Sequence, residues 1–156
     1  MSEMIIRMLI EAFFASVASV GFAMVFNVPK YTLIYCAIGG AITYIARTLC
    51  LHSGFGIEIS TFLAATFIGI IALYWSRKHL IPRPVYTVAS IIPMIPGTYA
   101  FSAMISLVDM NSHGVSEHLI DIFVFNGLKA VSILGAISFG LALPSLYFIR
   151  LNRPVI

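Results

Sequence analysis

The fold is decided by one stretch of sequence, VYTVASIIPMIPGTYAFSAMISLV at residues 85–108. It carries no charged side chain and is long enough for a helix to cross the hydrocarbon core of a bilayer. Pro93 and Pro96 lack a backbone N–H and clash with the preceding turn, so a continuous helix is not expected here. Non-helical backbone at membrane depth persists only where protein or a water-filled cavity covers it. The stretch therefore predicts a membrane span that is broken at Pro93–Gly97.

The rest of the chain predicts that this span is one of several. Of the 156 residues, 60% are hydrophobic and only 10% are charged, whereas about 25% of the residues of a typical soluble domain are charged. A soluble protein of this size could not bury so much apolar surface in one core. We therefore expect an all-α, polytopic integral membrane protein with five transmembrane helices, built as a single membrane domain over residues 1–156. The five spans are expected at residues 4–26, 31–51, 57–75, 85–108 and 119–147.

The placement of charge favours five spans over four. With five, one side of the membrane receives six basic residues and no acidic one, and positive charge stays cytoplasmic during insertion. This predicts a membrane protein with its N-terminus outside and its C-terminus in the cytoplasm. A re-entrant fourth block would instead move the two C-terminal arginines outside. The six residues are Lys30, Arg77, Lys78, Arg83, Arg150 and Arg153.

The break in the fourth span is also the first candidate for a binding site. A half-helix beginning near Gly97 would present free N–H groups and its positive dipole end to a carboxylate, as discontinuous helices do in secondary transporters. The two prolines create the break, and Gly97 would let a ligand approach the backbone closely. Thr98, Ser102 and Ser106 form a hydroxyl stripe on one face of this half-helix. The alternative is a structural proline kink with these hydroxyls bonded back to the helix.

Three ionisable residues inside the spans are further candidates, because charge within a membrane is costly. Glu11 is a candidate coupling group for a proton or a solute, or else part of a structural pair with Arg7. Arg47 could bind a substrate carboxylate, or its long side chain could extend to the membrane surface. Lys129 lies deep in the last span and should face a cavity or a partner chain.

Enzyme chemistry has no support in the sequence. HExxH, GxSxG, P-loop and GxGxxG motifs are absent, so we expect no catalytic residue and no cofactor. The polar stretch with His113, Glu117, His118 and Asp121 matches no metal-ligand spacing, and no metal site is expected. The net charge of +3 is accounted for by membrane topology, so no nucleic-acid partner is expected.

Several stretches resemble the threonine/serine exporter (ThrE-like) family, and specifically the small membrane subunit of its split, two-gene form. The PMIPG segment with its flanking hydroxyls is the most specific part of the resemblance. The matching stretches are GFAMVFNVP (Gly21–Pro29), CAIGGAITYIAR (Cys36–Arg47), GIEISTFLAATFIGI (Gly56–Ile70) and YTVASIIPMIPGTYAFSAMISLV (Tyr86–Val108).

This resemblance implies a subunit of a bacterial inner-membrane exporter of small organic anions or amino acids, with threonine, serine and succinate as family substrates. In full-length relatives the matching part looks like the C-terminal half of a ten-span protein. The expected partner is therefore a larger membrane subunit with five spans of its own, or at least a second copy of this chain. An odd number of spans gives two consecutive halves opposite orientations, which is the arrangement of an inverted-repeat transporter working by alternating access.

Two other functions stay open on the sequence alone. A homo-oligomeric passive channel would need no second gene product. A non-transporting scaffold subunit would show no solute-dependent effect when the PMIPG segment is altered.

Overall fold

The computed structural model describes residues 2–150, with side chains for residues 3–147, and that part of the chain folds as helices joined by short turns. Arg153 lies outside the described residues, as does the side chain of Arg150. Short 3-10 turns at Lys30–Thr32 and Ile92–Met94 precede α2 and follow α4. The helices are α1 (Ser2–Val25), α2 (Leu33–His52), α3 (Ile57–His79), α4 (Pro84–Ile91), α5 (Gly97–His113) and α6 (Glu117–Arg150).

The lengths and apolar character of these helices confirm a polytopic membrane protein. Within the described residues, α1, α2, α3 and α6 are each long and apolar enough to cross a membrane. The pair formed by α4, with its 3-10 turn, and α5 passes the same test together but is bent at its break, which raises the number of candidate spans from four to five. Large apolar side chains such as Phe13 and Phe14 are more than 60% exposed, as expected where lipid is the solvent.

The helices α3 and α5 each continue four or more residues past the predicted end of their span. The third span was expected to end at residue 75, but α3 continues to His79 and ends where Leu80 adopts a left-handed conformation with φ of 54°. Its last turn holds three basic residues, whose charge is favourable at the negative end of the helix dipole. Similarly, α5 runs through Asp109 to His113, part of a stretch that was expected to be a loop. Hydropathy locates the hydrocarbon core, but a helix need not end where that core ends.

The described part of the chain divides into two compact units, one that runs up to Met94 and resumes at Ala136, and one over Ile95–Gly135. In the first unit α2 contacts α1, α3 and α4. Glycines make this close packing possible, since a Cβ atom at Gly40 would lie 2.8 Å from the Cβ of Ser19 and 3.1 Å from the Ala15 carbonyl oxygen. On α4, Ser90 occupies the space beside Gly39. Small residues at helix contacts are typical of membrane bundles.

A second close contact in the first unit joins α3 to the C-terminal part of α6. A Cβ at Gly140 would lie 2.7 Å from a backbone carbonyl oxygen of α3, and one at Gly69 would lie 3.1 Å from Pro144 Cγ. Pro144 sits inside α6, where it removes a helical hydrogen bond and disturbs the neighbouring carbonyls. Arg83 donates a hydrogen bond through Nη2 to the Leu141 carbonyl at this point. Arg83 is buried, with 9% of its surface exposed, although the sequence predicted only that its charge lies in a loop.

Candidate functional site

The break in the fourth span follows from its two prolines. The chain makes a 3-10 turn at Ile92–Met94, leaves helical geometry at Ile95 and Pro96, and begins α5 at Gly97. The predicted break is therefore confirmed. Met94 is fully buried, and the turn that contains it contacts α1 and α2. Protein thus covers the backbone at the start of the break, as non-helical backbone at membrane depth requires.

The guanidinium of Arg47 lies at this break. Its Nη1 donates a long hydrogen bond of 3.4 Å to the carbonyl oxygen of Met94. Helical side chains lean toward the N-terminus of their own helix, which for α2 is the end away from His52. The half-buried Arg47 follows this direction and contacts the broken span, so the alternative in which it extends to the nearer membrane surface is not observed.

Tyr44 lies near both Arg47 and Glu11. Tyr44 precedes Arg47 by three residues on α2, so both side chains lie on one face. Its hydroxyl lies near the side chains of Arg47 and Glu11. Helix register explains the contact, because the short turn between α1 and α2 makes them run in opposite directions. Gly40 packs on Ala15, and Tyr44 and Glu11 each lie one turn from that contact.

Glu11 also lies beside Arg7, as the alternative from the sequence suggested. The Nε of Arg7 is 3.8 Å from Oε1 of Glu11, with the two side chains 84% and 38% exposed. An exposed pair of this kind contributes at most about 1 kcal/mol, so it does little to fix the position of Glu11. An open groove of about 690 Å³ begins beside this pair. The groove is lined by Glu3, Met4, Ile6, Arg7, Ile10 and His52.

The candidate residues on α5 do not all support the same hypothesis, which was either a solute site or a structural kink. Gly97 is exposed, and a Cβ atom added to it would have nothing within 4 Å, so there is open space at the start of the helix. Thr98 is exposed and Ser102 is half-buried. Ser106 is buried, and its hydroxyl donates a 2.8 Å hydrogen bond to the Ser102 carbonyl. Ser106 therefore follows the structural alternative, in which the hydroxyl is bonded back to the helix.

Lys129 is half-buried on α6, one turn after Asn126. The Asn126 amide donates a 2.8 Å hydrogen bond to the Ile122 carbonyl of the same helix. That Lys129 faces a cavity or a partner chain stays a prediction.

The predicted site residues are distributed over the two units, and each group is described by itself. In the first unit, helix packing brings Arg47 to the turn that contains Pro93, and Glu11 lies beside Arg7 on α1. The other predicted residues belong to the second unit. They are Pro96, Gly97, Thr98, Ser102 and Lys129.

Tyr44 is the residue of this site that reasoning from the sequence missed. A signal was available, because Tyr44 precedes Arg47 by three residues within an otherwise apolar helix. Its contact with Glu11, however, depends on the register between α1 and α2, which hydropathy alone does not determine.

The chemistry available to this cluster is binding of charged groups. A guanidinium carries five N–H donors and suits carboxylates, a tyrosine hydroxyl both donates and accepts, and a carboxylate can bind an ammonium group or a proton. Within the described part of the chain, no group of three or more His, Cys, Asp or Glu side chains is arranged to hold a metal ion.

Long apolar helices, a span broken between two half-helices and a guanidinium at the break define the class as a multi-pass membrane protein of the transporter type. The family model described as "Threonine/Serine exporter, ThrE" matches residues 11–147, which is most of the chain and includes the broken span. The chain belongs to the threonine/serine exporter family.

A curated relative supports this membership and shows a difference in length. A protein of Haemophilus influenzae, described only as an uncharacterized protein, is 44% identical over 151 residues. The match covers 97% of this chain and 50% of the relative, so the chain spans about half the length of that relative. No solved structure matches this chain.

Proposed function

We propose that this chain is the small subunit of an inner-membrane exporter of small carboxylate-bearing solutes. Threonine, serine or a dicarboxylate such as succinate would be the substrate, and a larger membrane subunit the partner. The observation that carries the proposal is the broken span with the Arg47 guanidinium at the Met94 carbonyl. A covered break with a cation beside it is what a membrane site for an anionic group requires.

The partner is inferred from length and topology. A relative twice as long as the match contains room for a second half of similar size. If the bent pair counts as one span, the chain has five spans and its ends lie on opposite sides of the membrane. Two such halves in sequence have opposite orientations, and inverted repeats of this kind hold the solute at their interface. The basic residues in and beside the α1–α2 and α3–α4 turns support a cytoplasmic location for those turns.

In this proposal the solute carboxylate is bound by a charged and a polar element. Arg47 supplies charge-assisted hydrogen bonds, for which a guanidinium is well suited. The first turn of α5 supplies backbone N–H groups at a helix N-terminus, with Thr98 and Ser102 as hydroxyl donors. Lys129 is the additional candidate cation on α6. Alternating exposure of the bound solute then releases it outside the cell.

The proposal is tested by solute efflux from cells that express this chain with the larger subunit and lack their own exporters. Gly97→Leu should abolish efflux while inserting at the normal level, because the added side chain meets no protein atom within 4 Å at its Cβ and so fills only open space. Gly21→Leu is the matched control, since its Cβ also has nothing within 4 Å. Wild-type efflux from Gly97→Leu at a normal membrane level would overturn the proposed site.

A second arm of the experiment addresses the partner. Reconstituting this chain alone with a labelled solute should give no transport, and adding the larger subunit should restore it. Passive conduction by the chain alone would contradict the two-subunit proposal and support a channel.

A further inference from the structure

The first unit carries exposed positive charge at the end where α2 begins and α3 finishes. Lys30 opens the 3-10 turn before α2 and Lys78 lies in the last turn of α3, and both side chains are exposed. Within the described residues of this unit, the acidic side chains lie in the first half of α1 and the first turn of α3, at Glu3, Glu11 and Glu58. The charge of the two lysines is therefore not balanced by the acidic residues of their own unit. We call this region, with its two lysines, the basic end.

Aromatic packing makes the basic end one surface. The ring of Tyr35, in the first turn of α2, lies 5.2 Å from the Trp75 ring and 4.9 Å from the His79 ring, measured between centroids. These contacts hold the start of α2 beside the last turns of α3. Lys30 precedes Tyr35 by five residues and Lys78 directly precedes His79, so both lysines lie at the same end of this packed pair of helices.

The length of the two spans places the basic end at the level of the lipid headgroups. Each span has 23 residues, which makes it about 34 Å long, whereas the hydrocarbon core is about 30 Å thick. Tyr31 and Tyr74 are each 64% exposed, as is typical of aromatic residues at the membrane–water interface. Tyr31 is the neighbour of Lys30 in sequence, and Tyr74 lies one helical turn before Lys78. Each exposed lysine thus has an exposed tyrosine hydroxyl close to it in the chain.

Two buried polar atoms near the basic end lack a partner within the described part of the chain. They are the Tyr86 hydroxyl and Nε2 of His79, and both rings pack against Tyr35. Buried polar atoms are normally hydrogen-bonded, to protein or to ordered water. The phosphate and ester oxygens of a lipid headgroup, and the water that they order, can provide such partners.

We propose that the basic end is a binding site for an anionic phospholipid headgroup. Lys30 and Lys78 attract its phosphate, and the hydroxyls of Tyr31 and Tyr74 donate hydrogen bonds to its ester oxygens. Basic residues beside a span are attracted to anionic lipids, whereas the ammonium group of a zwitterionic lipid would be repelled by the lysines. The bound lipid fixes the ends of α2 and α3 at the membrane surface. This inference goes beyond the proposed function and does not depend on transport.

The test counts the lipids that the purified chain retains, by native mass spectrometry from detergent containing equal amounts of phosphatidylglycerol and phosphatidylcholine. The wild-type chain should retain phosphatidylglycerol preferentially, and this preference should fall as sodium chloride is raised, because salt screens exposed charges. Lys30→Gln and Lys78→Gln should each lower the preference about fivefold, which corresponds to about 1 kcal/mol for each basic residue near a lipid surface.

Matched variants separate a lipid site from a general effect of positive charge. Arg7→Gln removes an exposed basic residue near the start of α1, where its side chain is 84% exposed, and should leave the preference unchanged. The double variant with Lys30→Arg and Lys78→Arg keeps both charges and should retain the wild-type preference. Both lysines are exposed, so none of these changes removes a core contact.

Several outcomes would overturn the inference. The wild-type chain could retain both lipids equally, or its preference could be the same at low and high salt. A preference that Arg7→Gln lowers as much as Lys30→Gln and Lys78→Gln do would also contradict a site at the basic end. Displacement of phosphatidylglycerol by inorganic phosphate, but not by chloride at the same ionic strength, would assign the site to free phosphate instead of lipid. Retention of a second copy of the chain in place of lipid would assign the surface to self-association.

Discussion

The two halves of the broken span, α4 and α5, have opposite surroundings. Half of the eight residues of α4 are buried, namely Tyr86, Thr87, Ala89 and Ser90. Of the 17 residues of α5, only Ala103 and Ser106 are buried. Packing within the chain therefore determines the position of α4, whereas α5 presents most of its surface to lipid or to a partner.

Residue size explains this difference. Ala89 and Ser90 on the buried face of α4 are small, and the Ser90 hydroxyl is bonded back to the Tyr86 carbonyl at 2.7 Å. That face fits against Gly39 of α2, where no side chain intervenes. On α5 the large apolar side chains Phe101 and Met104 are exposed. The α4 side of the break is thus packed, whereas most residues of α5 are exposed or half-buried.

The largest effect is expected from a substitution that forces α4 away from α2. Gly39→Leu places a side chain into the space of Ser90, since a Cβ atom at Gly39 would lie 3.0 Å from the Ser90 Cβ and closer still to its hydroxyl. We expect a loss of about 3 kcal/mol in the free energy of unfolding, because overpacking displaces two helices. Thermal unfolding in detergent measures it. Gly21→Leu, with open space around its Cβ, is the control, and equal melting temperatures for the two variants would contradict the tight α2–α4 contact.

A somewhat smaller effect is expected at the start of α4. Arg83→Met removes the donor to the Leu141 carbonyl beside the Pro144 kink, and we expect a cost of about 2 kcal/mol for a buried hydrogen bond from a charged group. The same unfolding experiment measures it. Lys78→Met, at an exposed position, should have little effect. Equal melting temperatures for the two variants would show that Arg83 does not stabilise this end of α4.

A comparison of two apolar residues sharpens the contrast between packed and exposed surfaces. Ile68→Ala, at a fully buried position on α3, should cost about 3 kcal/mol, as large-to-small changes in a core do. Phe101→Ala on α5 should cost less than about 0.5 kcal/mol in the isolated chain, because its side chain is 67% exposed. Unfolding of both variants without the partner subunit measures the difference. A large cost at Phe101 would mean that α5 is packed within the chain.

The smallest effect is expected at Ser106. Its hydroxyl is bonded to the Ser102 carbonyl of its own helix, so Ser106→Ala should change the free energy of unfolding by less than about 0.5 kcal/mol. Solute efflux should remain at the wild-type level, and a drop at normal membrane abundance would show that this hydroxyl serves the solute.

Much of the fold was predictable because a membrane span requires a long apolar segment, which is easy to recognise in the sequence. Uninterrupted apolar blocks located the helices, and two prolines three residues apart located the break. The ends of α3 and α5 were less predictable, because a helix can continue into the polar region without any apolar signal. The burial of Arg83 could not be predicted from the sequence, since its position beside Leu141 depends on how two distant segments pack.

The candidate site was predictable only as separate residues. Glu11 and Arg47 were each singled out by their charge within an apolar block, which is a property of the sequence alone. That Tyr44 lies near both of them depends on the register of α1 against α2, in which Gly40 packs on Ala15 and Ser19. Side chains that act together across helices need this tertiary information.

The most direct test of the broken span as a solute site is the accessibility of residue 97. With Cys36 and Cys50 replaced by alanine, Gly97→Cys is treated with a water-soluble thiol reagent in the complete exporter, with Gly21→Cys as the control. We predict that the thiol at residue 97 reacts, and that threonine slows this reaction with a concentration dependence that follows its transport, while leaving residue 21 unaffected. Labelling of residue 97 at the same rate with and without threonine, serine or succinate would contradict a solute site at the break.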